Sequence, residues 1–246
     1  MKRRLFLASS LAALALPGCT TSVKNDLTNR LRPVLSAAEG WNYRTIGTHG
    51  LAREYPESAI TRDFPLDSLD TPADDRYQGL VAGRFEAYRL VVDGMVARPL
   101  RLSLADLRAA GLRTQITRHD CVEGWSAIGK WTGVPVATIL TMAQPAERAK
   151  YVVFHCFDVD QSGTAYYESL DLHEARQPQT ILALDLNGAP LTPEYGAPVR
   201  LKNPTQLGYK SAKWVYRVEL AADLRKIGAG NGGYWEDLGY AWYAGI

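Results

Sequence analysis

The chain has 246 residues, of which 46% are hydrophobic, and this is enough to bury one sizeable core. Its formal net charge is +2, but three of its 28 lysines and arginines lie in residues 1–18, which leaves 25 basic residues against 26 acidic ones. Because the remaining chain also has no lysine-rich block and no stripe of basic and aromatic residues, composition gives no electrostatic basis for binding nucleic acid.

The amino terminus predicts export. Arg3-Arg4 precedes an apolar run at residues 5–16, and this run is too short for a transmembrane helix, which needs roughly 20 residues. The pattern is typical of a twin-arginine signal peptide over residues 1–18 and predicts a periplasmic location.

Residues 16–19, Leu-Pro-Gly-Cys, resemble a lipobox and predict a lipid anchor at Cys19. The alternative is ordinary signal cleavage near Ala13 or Ala15, which would leave Cys19 unmodified. Residues 19–40 then read as a polar tether and residues 41–246 as the folded domain.

Secondary-structure signals follow in chain order after a turn-rich stretch at residues 41–75 that has no clear period. The predicted elements are a strand at 88–94 ending in an Asp-Gly turn, a capped helix at 103–107 stopped by Gly111, a helix at 134–142 begun by Pro135, a strand at 151–157, a hairpin at 180–191 turning at Asn187-Gly188, and a half-buried strand at 213–220. Strands mixed with short helices predict a single α+β domain.

One thiol, Cys121, lies in a segment suited to metal or redox chemistry. A thiolate is a soft ligand, and the neighbouring Arg118 and His119 favour the deprotonated form. Asp120 and Glu123 oppose it, so local charge alone leaves the role of the thiol undecided.

The run Cys-Val-Glu-Gly-Trp-Ser at residues 121–126, with Trp-x-Gly-x-Pro ten residues beyond the cysteine, resembles the molybdenum-binding segment of the sulfite oxidase superfamily. The likeness is to its exported bacterial branch, which includes periplasmic methionine sulfoxide reductases. It continues through residues 151–154, 196–201 and 208–214. It implies a mixed-sheet molybdopterin-binding fold in which Cys121 is the only protein ligand to molybdenum. Only 26 residues follow Leu220, too few for the β-sandwich dimerisation domain of the full oxidases, which has about 100 residues.

The resemblance also implies further cofactor contacts. The phosphate of the pterin would be bound by Arg200, Ser211 and Lys213. Cys156 would contact the cofactor from a position that is threonine in the reductase branch, and His49 and Arg53 would lie in a leader that wraps the cofactor. Without the resemblance, Arg200 and Lys213 would read as a strand-edge arginine and a surface lysine.

Two further interpretations concern the C-terminal aromatic residues and the cysteines. The C-terminal aromatic residues are expected to pack under a loop. The alternative places Tyr234 or Trp235 at the entrance to the metal. In an oxidising compartment Cys121 and Cys156 would usually pair, but the resemblance implies that both remain free.

Histidines near the two cysteines leave other chemistries open. His119 and His155 suggest a zinc or copper site, although their spacing matches no established zinc pattern. A Cys-His hydrolase based on Cys121 is a second enzyme class, and a lipid-anchored binding protein without catalysis is a third possibility. His173 reads as a surface residue.

The resemblance implies a molybdenum–molybdopterin cofactor and two-electron oxygen-atom transfer. The chain has no haem-attachment, iron–sulfur or dinucleotide motif, so an external electron-transfer protein is expected, either a membrane haem protein or a soluble cytochrome. Reduction of an S-oxide or N-oxide, with protein methionine sulfoxide as one candidate, is favoured. The alternative within this class is a sulfite-type oxidase that uses a soluble cytochrome.

Overall fold

The computed structural model describes residues 31, 34, 37–47, 50–67 and 69–246. Residues 43–246 form one compact unit of the chain. The predicted signal peptide, Cys19 and His49 lie outside the described residues. Within the described ranges, no helix is both long enough and apolar enough to cross a membrane.

Within the described ranges, ten strands form two five-stranded sheets. The strands are β1 (Leu90–Gly94), β2 (Leu100–Leu102), β3 (Arg113–Asp120), β4 (Ser126–Pro135), β5 (Tyr151–Val159), β6 (Ala165–Asp171), β7 (Ile181–Leu186), β8 (Ala189–Pro190), β9 (Arg200–Lys202) and β10 (Val215–Ala221). The first sheet has the order β2-β1-β10-β5-β6, and the second has the order β3-β4-β7-β8 with β9 also paired to β7. Since β1 and β10 run parallel while the other pairs are antiparallel, the first sheet is mixed.

From Tyr43 onward, the described residues form five short α-helices beside the sheets. They are α1 (Asp75–Ala82), α2 (Leu104–Ala109), α3 (Val136–Ala143), α4 (Leu172–Ala175) and α5 (Tyr234–Asp237). The Ser103 hydroxyl accepts from the Asp106 N–H while the Asp106 carboxylate accepts from the Ser103 N–H, which is the capping box expected for α2. The α+β fold class predicted from the sequence is confirmed.

The elements with the clearest periodicity were predicted correctly. The hairpin of β7 and β8 turns at Asn187 and Gly188, both with positive φ, as an Asn-Gly turn requires. Pro135 marks the start of α3, but Val134 belongs to β4 and not to the helix. The helix α1 was not predicted.

The hairpin of β3 and β4, which carries the most informative motif, was also not predicted as strands. Its β3 strand buries polar side chains, namely Gln115, Thr117 and His119. Alternation of apolar with polar residues is the usual signal for a strand that is buried on one face. Because the buried face of β3 is polar, that signal is absent.

A close approach of two strands explains the glycine in the Trp-x-Gly-x-Pro motif. A Cβ on Gly133 would lie 2.1 Å from the Leu182 carbonyl oxygen and 2.5 Å from the Ala183 Cα. The register between β4 and β7 shifts at this point, between Thr132 and Gly133. Any side chain here would push β4 away from β7 and displace Trp131, two residues earlier on the same face.

We expect Gly133→Ala to lower the free energy of unfolding by about 1–3 kcal/mol, the usual cost of overpacking, as measured by urea denaturation. Gly79→Ala is the matched control, because Gly79 lies inside α1 and a Cβ there would meet nothing within 4 Å. The control should be neutral or stabilising by up to about 1 kcal/mol. Equal destabilisation by both substitutions would contradict the close-approach explanation.

The main core lies between the two sheets and α3. It contains alternate residues of β1, β5 and β10 from the first sheet, together with Leu182, Leu184 and Leu201 from the second. A smaller cluster on the other face of the second sheet is centred on Trp131 and Phe64. The site described below borders this smaller cluster.

Candidate active site

A cavity of about 270 Å³ lies where three segments of the chain meet. The turn between β3 and β4 contributes Cys121, residues 208–214 contribute a second wall, and the C-terminal segment contributes Trp235 and Tyr240. Arg200 of β9 also lines the cavity.

Cys121 occupies the tight turn that joins β3 to β4. Its N–H donates to the Trp125 carbonyl at 2.9 Å, and its own carbonyl accepts from the Gly124 N–H at 3.1 Å. Gly124 has φ +91°, a left-handed conformation that glycine adopts readily. Burial raises the pKa of the Cys121 thiol. The thiol therefore keeps its proton near neutral pH and would release it on binding a metal.

Two buried cations project from β9 over one aromatic ring. Arg200 and Lys202 flank Leu201, so strand alternation puts them on the same face. The Arg200 guanidinium lies 5.4 Å, and the Lys202 ammonium 5.7 Å, from the centre of the Trp131 ring. The tryptophan of the motif is thus the platform for both cations.

Arg200 has donor capacity left for a ligand. One of its terminal nitrogens donates to the Tyr195 carbonyl at 3.3 Å. Its Nε is buried and has no hydrogen-bond partner among the described residues. An unpartnered, buried, charged donor is costly, and an anion in the cavity would remove that cost.

Behind Arg200, Lys202 contacts the histidine that precedes the thiol. Its Nζ lies 3.3 Å from the Arg118 carbonyl oxygen and 3.2 Å from His119 Nδ1. Burial, reinforced by the charge of Arg200, lowers the pKa of Lys202 to about 7. Burial and the nearby cations lower the pKa of His119 well below its usual 6.5.

Lys213 is the third buried cation, and it has an acidic partner. Its Nζ donates to Asp67 Oδ1 at 2.6 Å and to the Glu194 carbonyl at 3.1 Å, and lies 4.2 Å from the centre of the Trp214 ring. Asp158 also lines the cavity, with burial raising its pKa to about 7. A proton can therefore be held or released at Asp158 near neutral pH.

The structure brings four of the seven predicted site residues together. Cys121, Arg200, Ser211 and Lys213 all line the cavity. The buried Ser211 hydroxyl accepts from the Asn203 N–H at 3.2 Å.

The other predicted residues are placed elsewhere or fall outside the description. Cys156 is buried in the main core and does not line the cavity. Arg53 is exposed, with its guanidinium 4.9 Å from the Tyr55 ring centre. His49 lies outside the described residues.

Of the two C-terminal aromatic residues considered above, one packs against the fold and the other lines the cavity. Tyr234 stacks on Tyr166 with centroids 5.4 Å apart and donates to Asp160, so it packs as favoured. Trp235 lines the cavity and contacts Tyr240 at 5.2 Å between centroids.

A buried ion cluster holds this C-terminal segment in place. Lys210 donates to Glu168 of β6 and, at 2.6 Å, to Glu236 of α5. All three side chains are inaccessible or nearly so. The cluster therefore fixes α5, and with it Trp235, against the segment that contains Ser211.

Sequence reasoning missed the roles of His119, Lys202 and Asp67. The signal for Lys202 was available, because it lies two residues from Arg200 on a strand and must share its face. Asp67 precedes its partner Lys213 by 146 residues in an irregular segment, and nothing local indicates that contact.

The described residues give no support to the histidine metal site. Among them, no three side chains of His, Cys, Asp or Glu come together as a metal site. His155 contacts Glu219 at 2.8 Å, and His173 is exposed as predicted. Cys121 and Cys156 are both free thiols.

Residues 78–226 match the family described as the oxidoreductase molybdopterin binding domain. The chain belongs to this family. It is a molybdopterin-dependent oxidoreductase, and the molybdenum–molybdopterin group is its cofactor. The hydrolase and binding-protein alternatives are therefore set aside.

Relatives extend the match over the whole chain. A protein of Azospira oryzae, provisionally named protein-methionine-sulfoxide reductase subunit YedZ1, is 39% identical over 99% of this chain and 87% of its own length. The protein-methionine-sulfoxide reductase catalytic subunit MsrP of Pseudomonas syringae pv. tomato is 29% identical over 100% of this chain and 78% of its own length.

A solved structure supports the fold. The sulfane dehydrogenase SoxCD of Paracoccus pantotrophus superposes with a TM-score of 0.50 at 24% identity, covering 56% of this chain and 39% of that chain. This similarity, together with the family match, confirms the sulfite-oxidase-type molybdopterin-binding fold.

The residues of the cavity fit the cofactor. Cys121 supplies a soft ligand for molybdenum. Arg200, with its unpartnered buried Nε, and Lys213 supply cationic donors for the phosphate of the pterin. The buried positive charge at this end of the cavity matches a group that is anionic.

We expect inorganic phosphate to raise the melting temperature of the cofactor-free protein more than sodium chloride of equal ionic strength. At ten times the phosphate Kd the gain would be about 1.4 kcal/mol. Arg200→Met should abolish the difference between the salts, whereas Arg101→Met, at an exposed position, should preserve it. Equal responses of the two variants would count against a phosphate role for Arg200.

Proposed function

We propose that this protein is the catalytic component of an exported system that reduces S-oxides, with protein-bound methionine sulfoxide as its substrate class. The observation that carries the proposal is a single thiol and a buried cation cluster facing one cavity, in a chain related over 99% of its length to a methionine-sulfoxide reductase subunit.

The rim of the cavity suits a thioether side chain. Val122, Leu69 and Tyr240 line it and remain 45%, 39% and 43% exposed. A methionine sulfoxide side chain is apolar except at its S=O group, so it would place carbon against this rim and oxygen toward the buried polar end.

The reaction consumes two electrons and two protons, and converts R₂S=O into R₂S and water. The molybdenum–molybdopterin group, when bound, supplies the two-electron chemistry. Cys121 would hold the metal, Arg200, Ser211 and Lys213 would hold the pterin phosphate, and Asp158 is placed to hold a proton at the cavity wall. The electrons come from an external haem protein, and a separate partner subunit agrees with the names of the relatives, both of which are called subunits.

Of the remaining predicted contacts, His49 and Arg53 belong to the same proposal as positions that support the cofactor, whereas Cys156 packs in the main core and is left out of it. Export by the twin-arginine route to the periplasm and a lipid anchor at Cys19 also belong to it. The mass of the mature amino terminus, before and after replacing Arg3-Arg4 by two lysines, tests the export and anchor parts together.

Oxidation of sulfite with a soluble cytochrome is the second candidate, and the buried cations favour it because sulfite is an anion. The two are separated by assaying molybdenum-loaded protein with reduced viologen and a panel of S-oxides and N-oxides, beside sulfite with ferricyanide. We expect about one molybdenum per chain by elemental analysis and turnover of a sulfoxide-containing peptide. Sulfite turnover without oxide reduction would refute the favoured reaction.

The two free thiols should respond differently to substitution. Cys121→Ser should reduce turnover to background, because an alkoxide replaces a soft thiolate on the metal. Cys156→Ser should retain substantial turnover, because the Cys156 side chain packs in the core and not at the cavity wall. Both rates are to be normalised to molybdenum content. Normal turnover of Cys121→Ser would overturn the assignment.

A further inference from the structure

We propose that His119 is a catalytic hydrogen-bond donor whose Nε2–H binds the oxygen of the S-oxide, and that Lys202 is the positioning residue that holds this tautomer. The part played in turnover rests on the proposed S-oxide reduction. The tautomer does not depend on it.

The contacts of Lys202 determine where the histidine proton lies. A lysine ammonium only donates hydrogen bonds. The Lys202 Nζ donates one to the Arg118 carbonyl at 3.3 Å. Burial and Arg200 lower the pKa of Lys202 to about 7, so below that pH the side chain is an ammonium, a form that the face of the Trp131 ring 5.7 Å away favours. In this form the 3.2 Å contact to His119 Nδ1 is a donation by Lys202. A ring that accepts at Nδ1 carries its single proton at Nε2.

The open edge of the ring faces the cavity. His119 lines the cavity, and within the described part of the chain its Nε2 has no hydrogen-bond partner that would compete with a ligand. A Cβ on Gly208 would lie 2.6 Å from Nε2 and 2.9 Å from Cε1. The absence of a side chain at Gly208 is what leaves this edge accessible.

The ring itself has little freedom to turn. It packs against Trp125, Phe64 and Trp131 with centroid separations of 5.6, 6.1 and 6.4 Å. Such a preorganised, buried donor stabilises developing negative charge on oxygen without reorganisation. As the S–O bond weakens, charge grows on that oxygen, which is where a donor is most effective.

The tautomer is tested below pH 7, where Lys202 is charged, by long-range ¹H–¹⁵N NMR of the oxidised holoenzyme labelled in its four histidines. His119→Gln identifies the signals. We expect a neutral His119 protonated at Nε2, with the Nδ1 signal shifting in Lys202→Met, which keeps the side-chain length but removes the donor. A proton at Nδ1, a doubly protonated ring, or an unchanged spectrum in Lys202→Met would overturn the proposal.

Turnover is tested with two amide variants that form a matched pair. Glutamine places its NH₂ near the position of Nε2, whereas asparagine reaches only the region of Nδ1. Per bound molybdenum, His119→Asn should lose about 10²-fold in kcat, the usual effect of removing one such donor. His119→Gln should be at least ten times more active than His119→Asn. Equal losses in the pair would overturn the catalytic role.

Gly208→Ala provides an independent variant, because it crowds the Nε2 edge of His119 and not the Nδ1 edge that Lys202 contacts. The backbone of Gly208 is outside the left-handed region, but a Cβ 2.6 Å from Nε2 is too close, so residue 208 or the ring must shift and the edge is closed to a ligand. We expect kcat to fall while the NMR tautomer is preserved, and unchanged kcat would contradict the proposal. If wild-type protein reduces no S-oxide, the proposed function fails, while the NMR result still decides the tautomer.

Discussion

The stacking of Arg200 and Lys202 on Trp131 is the interaction on which the site depends. Two like charges on one buried strand face are unfavourable unless something compensates for their lost hydration. The ring supplies part of that compensation. Lys202 gains the rest from its hydrogen bonds to the Arg118 carbonyl and to His119. In the part of the chain that the structure describes, Arg200 has no equivalent partner at Nε. The protein therefore carries an unbalanced positive charge that an anionic cofactor would neutralise.

Backbone geometry puts these charges beside the thiol. The tight turn at Cys121 joins β3 to β4, and β4 carries Trp131 toward β7 and β9. The contact is close because Gly133 has no side chain. Motif residues with no polar function, a tryptophan and a glycine, thus determine where Arg200 lies relative to Cys121. Their place beside the cysteine motif in this chain therefore has a structural cause.

Some of this was predictable from sequence and some was not. The Asn187-Gly188 hairpin and the capping box at Ser103 are local signals, and both were read correctly. The β3 strand was missed because its buried face carries Gln115, Thr117 and His119, and a polar interior removes the apolar alternation on which strand prediction relies. The cavity residues Arg200 and Lys213 came from resemblance and not from periodicity. Asp67 and the Lys210–Glu168–Glu236 cluster are contacts across long sequence separations, for which the sequence carries no local signal.

The buried charges also bear on the order of cofactor insertion, folding and export. If the cation cluster is stable only with an anion in place, cofactor insertion and completion of the fold stabilise each other. The Lys210 cluster closes the C-terminal segment over the same cavity, so Trp235 and Tyr240 reach their positions only when that segment has docked. A chain of this kind is best loaded before it leaves the compartment where the cofactor is made. The proposed twin-arginine signal agrees with this requirement, because that route carries proteins already folded.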